Sequence, residues 1–182
     1  DNDQSTNDMV AIFSTKKVKV NQNRGSEDPL IKKFEIALKN LCLNLAKQIV
    51  VDGEGAKKFV TVKILNAKSQ TSAKKIAFSI ANSPLIKTAI AGADPNWGRI
   101  IMGIGKSGEK IDKDKLTIKL GELPVAEGGK ISEAYDETKL KEYMKWDSIL
   151  IEVNINQGND MFECYTCDFT HDYIDINADY RN

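Results

Sequence analysis

The stretch Val51-Asp52-Gly53-Glu54-Gly55-Ala56-Lys57-Lys58-Phe59 constrains the fold more than any other. On its N-terminal side Leu30, Ile31, Phe34, Leu38, Leu41, Leu45 and Ile49 recur at spacings of three and four, the period of an amphipathic helix. Asp28 followed by Pro29 supplies an N-cap and a first-turn proline, so the helix should start there and lay its apolar stripe on a sheet. On the C-terminal side Val60, Val62 and Ile64 alternate with polar residues, as in a strand. The two glycines end the helix and leave the Glu54 carboxylate unshielded at the helix–strand junction. Such a carboxylate is a solvated loop residue or a ligand contact, and the junction by itself does not decide between them.

The remaining pattern extends this unit into a layered α/β or α+β chain, with mixed sheets packed against helices. Residues 9–13 read as a short, largely buried strand, followed by a charged loop. A helix is expected over residues 69–81 with Ala73, Ile76, Ala77 and Ile80 facing inward, and a shorter one over 85–90 after Asn82-Ser83-Pro84. Residues 91–99 read as a loop with Trp97 covering the core edge, and residues 100–104 as a short apolar strand. Residues 116–120 form a strand, 121–130 carry turn chemistry, and Asp136 caps a helix reaching Trp146. Residues 148–155 alternate strongly, and Asn156-Gln157-Gly158-Asn159-Asp160 is a hairpin signal into a strand over 161–167. Residues 168–182 read as a polar tail anchored by Tyr173, Ile174, Ile176 and Tyr180. Two lobes are expected, residues 1–106 and 107–182, meeting near the charged stretch 107–115.

Charge narrows the function classes. Lys+Arg and Asp+Glu number 26 each, so no global attraction to nucleic acid or to an anionic membrane is expected. No apolar run approaches the roughly 20 residues that span a bilayer. Three cysteines suit a reducing compartment, and the cytoplasm is expected. The chain opens on Asp1, which suggests a processed product or a piece whose N-terminal portion lies elsewhere.

Three motifs fail on context. Gly103-Ile104-Gly105-Lys106-Ser107-Gly108 matches G-x-G-x-x-G in letters and contains Gly-Lys-Ser. A P-loop needs glycine where Ile100 stands, and a dinucleotide fingerprint must open an apolar helix, whereas residues 109–115 are charged. A flexible turn is the better account. Cys164 and Cys167 have C-x-x-C spacing but lie on an alternating strand, facing opposite sides, with no second pair to complete a zinc site. His171, the only histidine, has Cys167 and Asp172 near it in sequence, yet neighbours in a chain seldom face one another, so a structural or hydrogen-bonding role is expected. No metal is expected.

Five stretches occur together in order: Ser5-Thr6-Asn7-Asp8; Asp52-Gly53-Glu54-Gly55-Ala56; Ala81-Asn82-Ser83-Pro84-Leu85-Ile86-Lys87-Thr88-Ala89; Asp94-Pro95-Asn96-Trp97-Gly98-Arg99; and Thr170-His171-Asp172-Tyr173 through Ile176-Asn177-Ala178-Asp179-Tyr180-Arg181. In this order and spacing they resemble the ornithine acetyltransferase (glutamate N-acetyltransferase) family of arginine biosynthesis. The resemblance runs from Ser5 to the last residue.

The resemblance implies an N-terminal-nucleophile-type acetyltransferase fold and a precursor that cleaves itself before a threonine into α and β chains. That threonine takes the acetyl group of N2-acetyl-L-ornithine and passes it to L-glutamate. A hydroxyl of this kind becomes a nucleophile when a neighbouring base, here its own α-amine, takes the proton. An oxyanion hole from the α chain would stabilise the tetrahedral intermediate. The nucleophile is expected upstream of Asp1, so this chain carries no catalytic residue and needs the upstream part of the precursor. Substrate contacts carry over to Glu54, a carboxylate for the substrate's ammonium group, and to Asn177. Asn182, the third substrate contact to carry over, stands where the family usually ends in Ser or Thr, a departure from its pattern, although its amide can still donate a hydrogen bond. No cofactor is expected, with acetyl-CoA left open as a second acetyl donor. The expected assembly is a dimer of αβ pairs. A related N-terminal-nucleophile amidohydrolase or aminopeptidase is the alternative chemistry, and a binding domain that kept the fold and lost the site is a third reading.

Overall fold

The chain is seen here as a computed structural model that describes residue 3, residue 7 and residues 9–179. It divides into two compact units, Asp1–Ile49 and Val50–Asn182.

In the first unit a short helical turn, Gln22–Glu27, leads to Asp28. One oxygen of Asp28 accepts from the Leu30 backbone N–H at 2.8 Å and the other from Asn21 N–H at 3.0 Å, satisfying donors that a helix start leaves open. Helix α1 (Pro29–Val51) follows, so the expected start and end both hold. Its expected burial does not. No side chain of α1 is buried, and Phe34, Leu41, Leu45 and Ile49 are exposed. Residues 9–13 form no strand, and Met9, Val10, Ile12 and Phe13 are also exposed. A strand needs a partner ladder for its backbone groups, and among the described residues none pairs with this segment.

The second unit is built on one mixed sheet of strands β1 (Phe59–Ala67), β2 (Thr117–Leu120), β3 (Leu123–Glu127), β4 (Lys130–Ile131), β5 (Ser148–Asn154) and β6 (Asp160–Cys167), in the order β4-β3-β2-β5-β1-β6. β1 runs parallel to β5, from Phe59 opposite Ser148 to Leu65 opposite Asn154, and antiparallel to β6. Val60, Val62 and Ile64 are fully buried, as their alternation predicts. Helix α2 (Gln70–Ala81) packs on β1 and β6 through Ala73, Ile76, Ala77 and Ile80, the four residues the helical period selects. Ser69 caps it, accepting from Ser72 N–H at 3.1 Å. Helices α3 (Pro84–Ala91), α4 (Trp97–Lys106), α5 (Glu137–Tyr143) and α6 (His171–Ala178) complete the unit.

Several expectations change here. The chain does not divide between residues 106 and 107, because β1 from before that point pairs with β5 and β6 from after it. β5 and β6 are not a hairpin, since β1 lies between them. The connection passes so tightly over the end of β1 that a Cβ on Gly158 would fall 2.1 Å from the Ala67 carbonyl oxygen. Residues 100–104 lie in α4, where Asn96 caps the helix by accepting from Arg99 N–H at 3.2 Å. The expected turn at Gly103 is therefore helix. That glycine lets α4 approach its neighbours, for a Cβ there would stand 2.9 Å from Ile86 Cδ1. Residues 121–130 contain strand β3 between turns at Gly121 and Gly128-Gly129, all three with positive φ. The expected polar tail is helix α6 over residues 171–178, on which Ile174 and Ile176 are exposed. Tyr180 and Asn182 lie outside the described residues.

Candidate functional site

The site is assembled where the loop between α1 and β1 meets the chain leaving β6. Asp168, only 3% exposed, is the clamp: one carboxylate oxygen accepts from the backbone N–H groups of Lys57 and Lys58, at 2.8 and 2.9 Å. This fixes the entry of β1 to the exit of β6. Next, the Thr170 hydroxyl donates to the Gly55 carbonyl at 2.7 Å. Gly55 has φ +69, and a Cβ there would lie 2.6 Å from the Tyr173 backbone nitrogen, so only glycine lets the loop sit on the first turn of α6. Lys57 Nζ pairs with Asp172 at 2.8 Å. The hydrogen bond and then the charge of Asp172 raise the Lys57 ammonium above the usual lysine range. The same hydrogen bond and charge from Lys57 hold the Asp172 carboxyl below the usual carboxylate range.

These contacts bring together two of the three residues singled out in the sequence. The Asn177 side-chain amide donates to the Glu54 carboxylate at 2.8 Å, across 123 positions of chain. Its nitrogen also donates to the Tyr173 carbonyl at 2.9 Å, one helical turn back, which aims the amide. Both side chains are exposed. With the amide N–H groups engaged, the polar atoms of the pair that make no hydrogen bond among the described residues are acceptors, the Asn177 carbonyl oxygen and the second Glu54 oxygen. Asn182 lies outside the described residues.

A cavity of about 470 Å³ adjoins the clamp, lined by Lys57, Thr88, Phe169, His171, Asp172 and Ile174 among others. His171 is exposed at the start of α6, and among the described residues no hydrogen bond joins it to a hydroxyl or thiol. Cys164 faces the core while Cys167 is half-buried, and both are free thiols, which agrees with opposite faces of β6. Among the described residues no cluster of His, Cys, Asp and Glu is arranged to hold a metal.

Asp168 was not legible as a site residue, since an aspartate just past a strand reads as a solvated turn. Lys87 was also missed: it lies 3% exposed in α3, with Nζ donating to the Thr166 hydroxyl at 2.8 Å. Arg99 joins α3 to α4 by donating to the Leu85 carbonyl at 2.6 Å, so the Asp94–Arg99 stretch acts structurally here.

Comparison with known proteins identifies the company this chain keeps. The ArgJ family matches residues 1–182. The arginine biosynthesis bifunctional protein ArgJ of Gluconobacter oxydans is 46% identical over 182 residues, all of this chain and 43% of its own length. The protein of the same name from Zymomonas mobilis is 45% identical, again over all of this chain and 44% of its own length. The chain thus spans less than half the length of these curated relatives. The crystal structure of arginine biosynthesis bifunctional protein ArgJ from Bacillus halodurans superposes with a TM-score of 0.88 at 36% identity, covering 99% of this chain and 84% of that one. The match over the whole sequence and the shared fold together make this chain a member of the ArgJ family.

Proposed function

We propose that the chain is the substrate-holding portion of a glutamate N-acetyltransferase that moves an acetyl group from N2-acetyl-L-ornithine to L-glutamate in arginine biosynthesis. The observation that carries this reading is the pair of exposed side chains Glu54 and Asn177, joined at 2.8 Å. An ammonium group is a pure donor, and a carboxylate beside an amide carbonyl is its complement. N2-acetyl-L-ornithine carries an ammonium on its side chain, and L-glutamate brings an α-ammonium that must lose a proton before it attacks. The buried Asp168 clamp and the glycine contact at Gly55 hold the pair at fixed spacing, as a site that orients its substrate requires.

In this account the acetyl group rides on a threonine that precedes Asp1 in the longer protein. Its hydroxyl attacks the acetyl carbonyl, ornithine leaves, and the glutamate amine then attacks the acetyl-threonine ester. An α chain supplies the donors for the tetrahedral oxyanion, and the working assembly is a dimer of αβ pairs. Acetyl-CoA is a further donor to be tried.

The test is product analysis with the full-length protein. Incubation with acetylornithine and glutamate should yield acetylglutamate and ornithine, and glutamate omission should stop turnover after an acetyl group is retained on the protein. Steady release of acetate without glutamate would instead establish the amidohydrolase alternative.

A further inference from the structure

Two parts of the first unit lack the cover that their composition demands. Met9, Val10, Ile12 and Phe13 are exposed, Val10 at 97% and Phe13 at 91%. In an extended run Met9 and Phe13 fall on one side and Val10 and Ile12 on the other, the two-sided apolar pattern of a strand buried between layers. Such a strand needs a ladder for its backbone groups, and among the described residues none pairs with it. Helix α1 is the second part. Leu30, Phe34, Leu41, Leu45 and Ile49, with Cys42 at the border, fall within an arc of about 120° at 3.6 residues per turn. All six are exposed, while Lys32, Lys39 and Lys47 stand on the opposite side of the helix. Most of a helix's stability in a protein comes from packing such a face rather than from propensity.

The breadth of the stripe selects the occupant. Two copies of α1 zipped together would use the narrow seam of a coiled coil, whereas an arc this wide suits a helix lying across a sheet. A sheet is also what residues 9–13 require. This chain covers 43% and 44% of two curated relatives, so more than half of each lies outside the part it matches, enough for a sheet of several strands. We propose that both surfaces dock on one β-sheet contributed by the remainder of the longer protein. Residues 9–13 join that sheet as a strand, and α1 lays its apolar stripe across one of its faces. Main-chain hydrogen bonds then hold the added strand, and the helix covers apolar side chains that the sheet turns toward it. The inference does not depend on the acetyl-transfer reading.

The experiment uses the full-length protein and three readouts. In hydrogen–deuterium exchange, the amides of residues 9–13 should exchange about 100-fold more slowly than in a free peptide of the same sequence. Cys42 should react with iodoacetamide at least about tenfold more slowly than an unstructured cysteine peptide, followed by mass spectrometry of its own peptide. Leu41→p-benzoylphenylalanine should, on illumination, cross-link to a peptide that lies outside these 182 residues. Exchange of residues 9–13 at the free-peptide rate, or full reactivity of Cys42, overturns the proposal. So do cross-links confined to these 182 residues. Protection of Cys42 that disappears on dilution, or a cross-link between two copies of α1, would give the stripe to a second copy and likewise overturn it. Should the Leu41 variant fail to fold, exchange and Cys42 reactivity of the unaltered protein decide.

Discussion

Gly55 is where a single methyl group should matter most. A Cβ there would stand 2.6 Å from the Tyr173 nitrogen and 2.9 Å from the Asp172 carbonyl carbon, against backbone that cannot rotate away, and at φ +69. Gly55→Ala is expected to lower stability by about 2–4 kcal/mol, from backbone strain and displaced packing together. Urea unfolding measures it, and a loss below about 0.5 kcal/mol would show that the loop does not rest on α6 in solution. Lys57 and Asp172 give a second test at this scale, through pH. Asp172 is depressed, so its contribution is present above the ordinary carboxylate midpoint near ~4 and is lost as pH falls through the lower folded value. Lys57 is raised, so its contribution is complete below about 10.5 and is lost as pH rises through the higher folded value. Lys57→Met should therefore move the NMR titration midpoint of Asp172 upward; an unmoved midpoint would mean that the pair is not formed. Glu54, by contrast, is an exposed residue joined to its neighbours by one side-chain hydrogen bond, so its removal should leave stability nearly untouched.

Asp168 carries the element scale, since it ties the start of β1 to the end of β6. Asp168→Ala leaves two backbone N–H groups without their acceptor and should lower stability by about 2–4 kcal/mol. Asp168→Asn keeps a carbonyl oxygen in place and should lose markedly less, which thermal unfolding of the two variants compares. Elements whose periodicity is set by their own packing were legible in advance. β1 buries Val60, Val62 and Ile64, and α2 buries Ala73, Ile76, Ala77 and Ile80, because one face of each meets the same core. Elements decided by distant partners were not. The connection after β5 carries sound hairpin residues, yet the parallel pairing of β1 with β5 places β1 where the hairpin partner would go. Residues 100–104 are apolar enough for a strand, and their helix is set by the Asn96 cap and by the space that Gly103 leaves against Ile86. The site was half legible for the same reason. Glu54 and Asn177 are singled out by the company of their motifs, while the contacts of Asp168 and Lys87 are with backbone and side chains about 80 to 110 positions away.

At the scale of the molecule, the chain is 182 residues of a family whose curated members are more than twice as long. Helix α1 has no buried side chain, and Phe34, Leu41, Leu45 and Ile49 are among its exposed apolar residues. No helix among the described residues is long and apolar enough to cross a membrane. The proposed division of labour, with this chain holding the substrate and an upstream threonine attacking it, predicts that the 182 residues alone do not transfer acetyl groups. Measurable formation of acetylglutamate by the isolated chain would contradict that division. The central claim is that the remaining acceptor atoms of the Glu54–Asn177 pair hold the substrate's ammonium. Steady-state kinetics of Glu54→Ala in the full-length protein, with its melting temperature measured alongside, tests it most directly. The account predicts a KM for acetylornithine raised by about 10- to 100-fold, the loss of a charge-assisted contact, at an unchanged melting temperature. A normal KM together with a much lower melting temperature would make Glu54 a structural residue and contradict it.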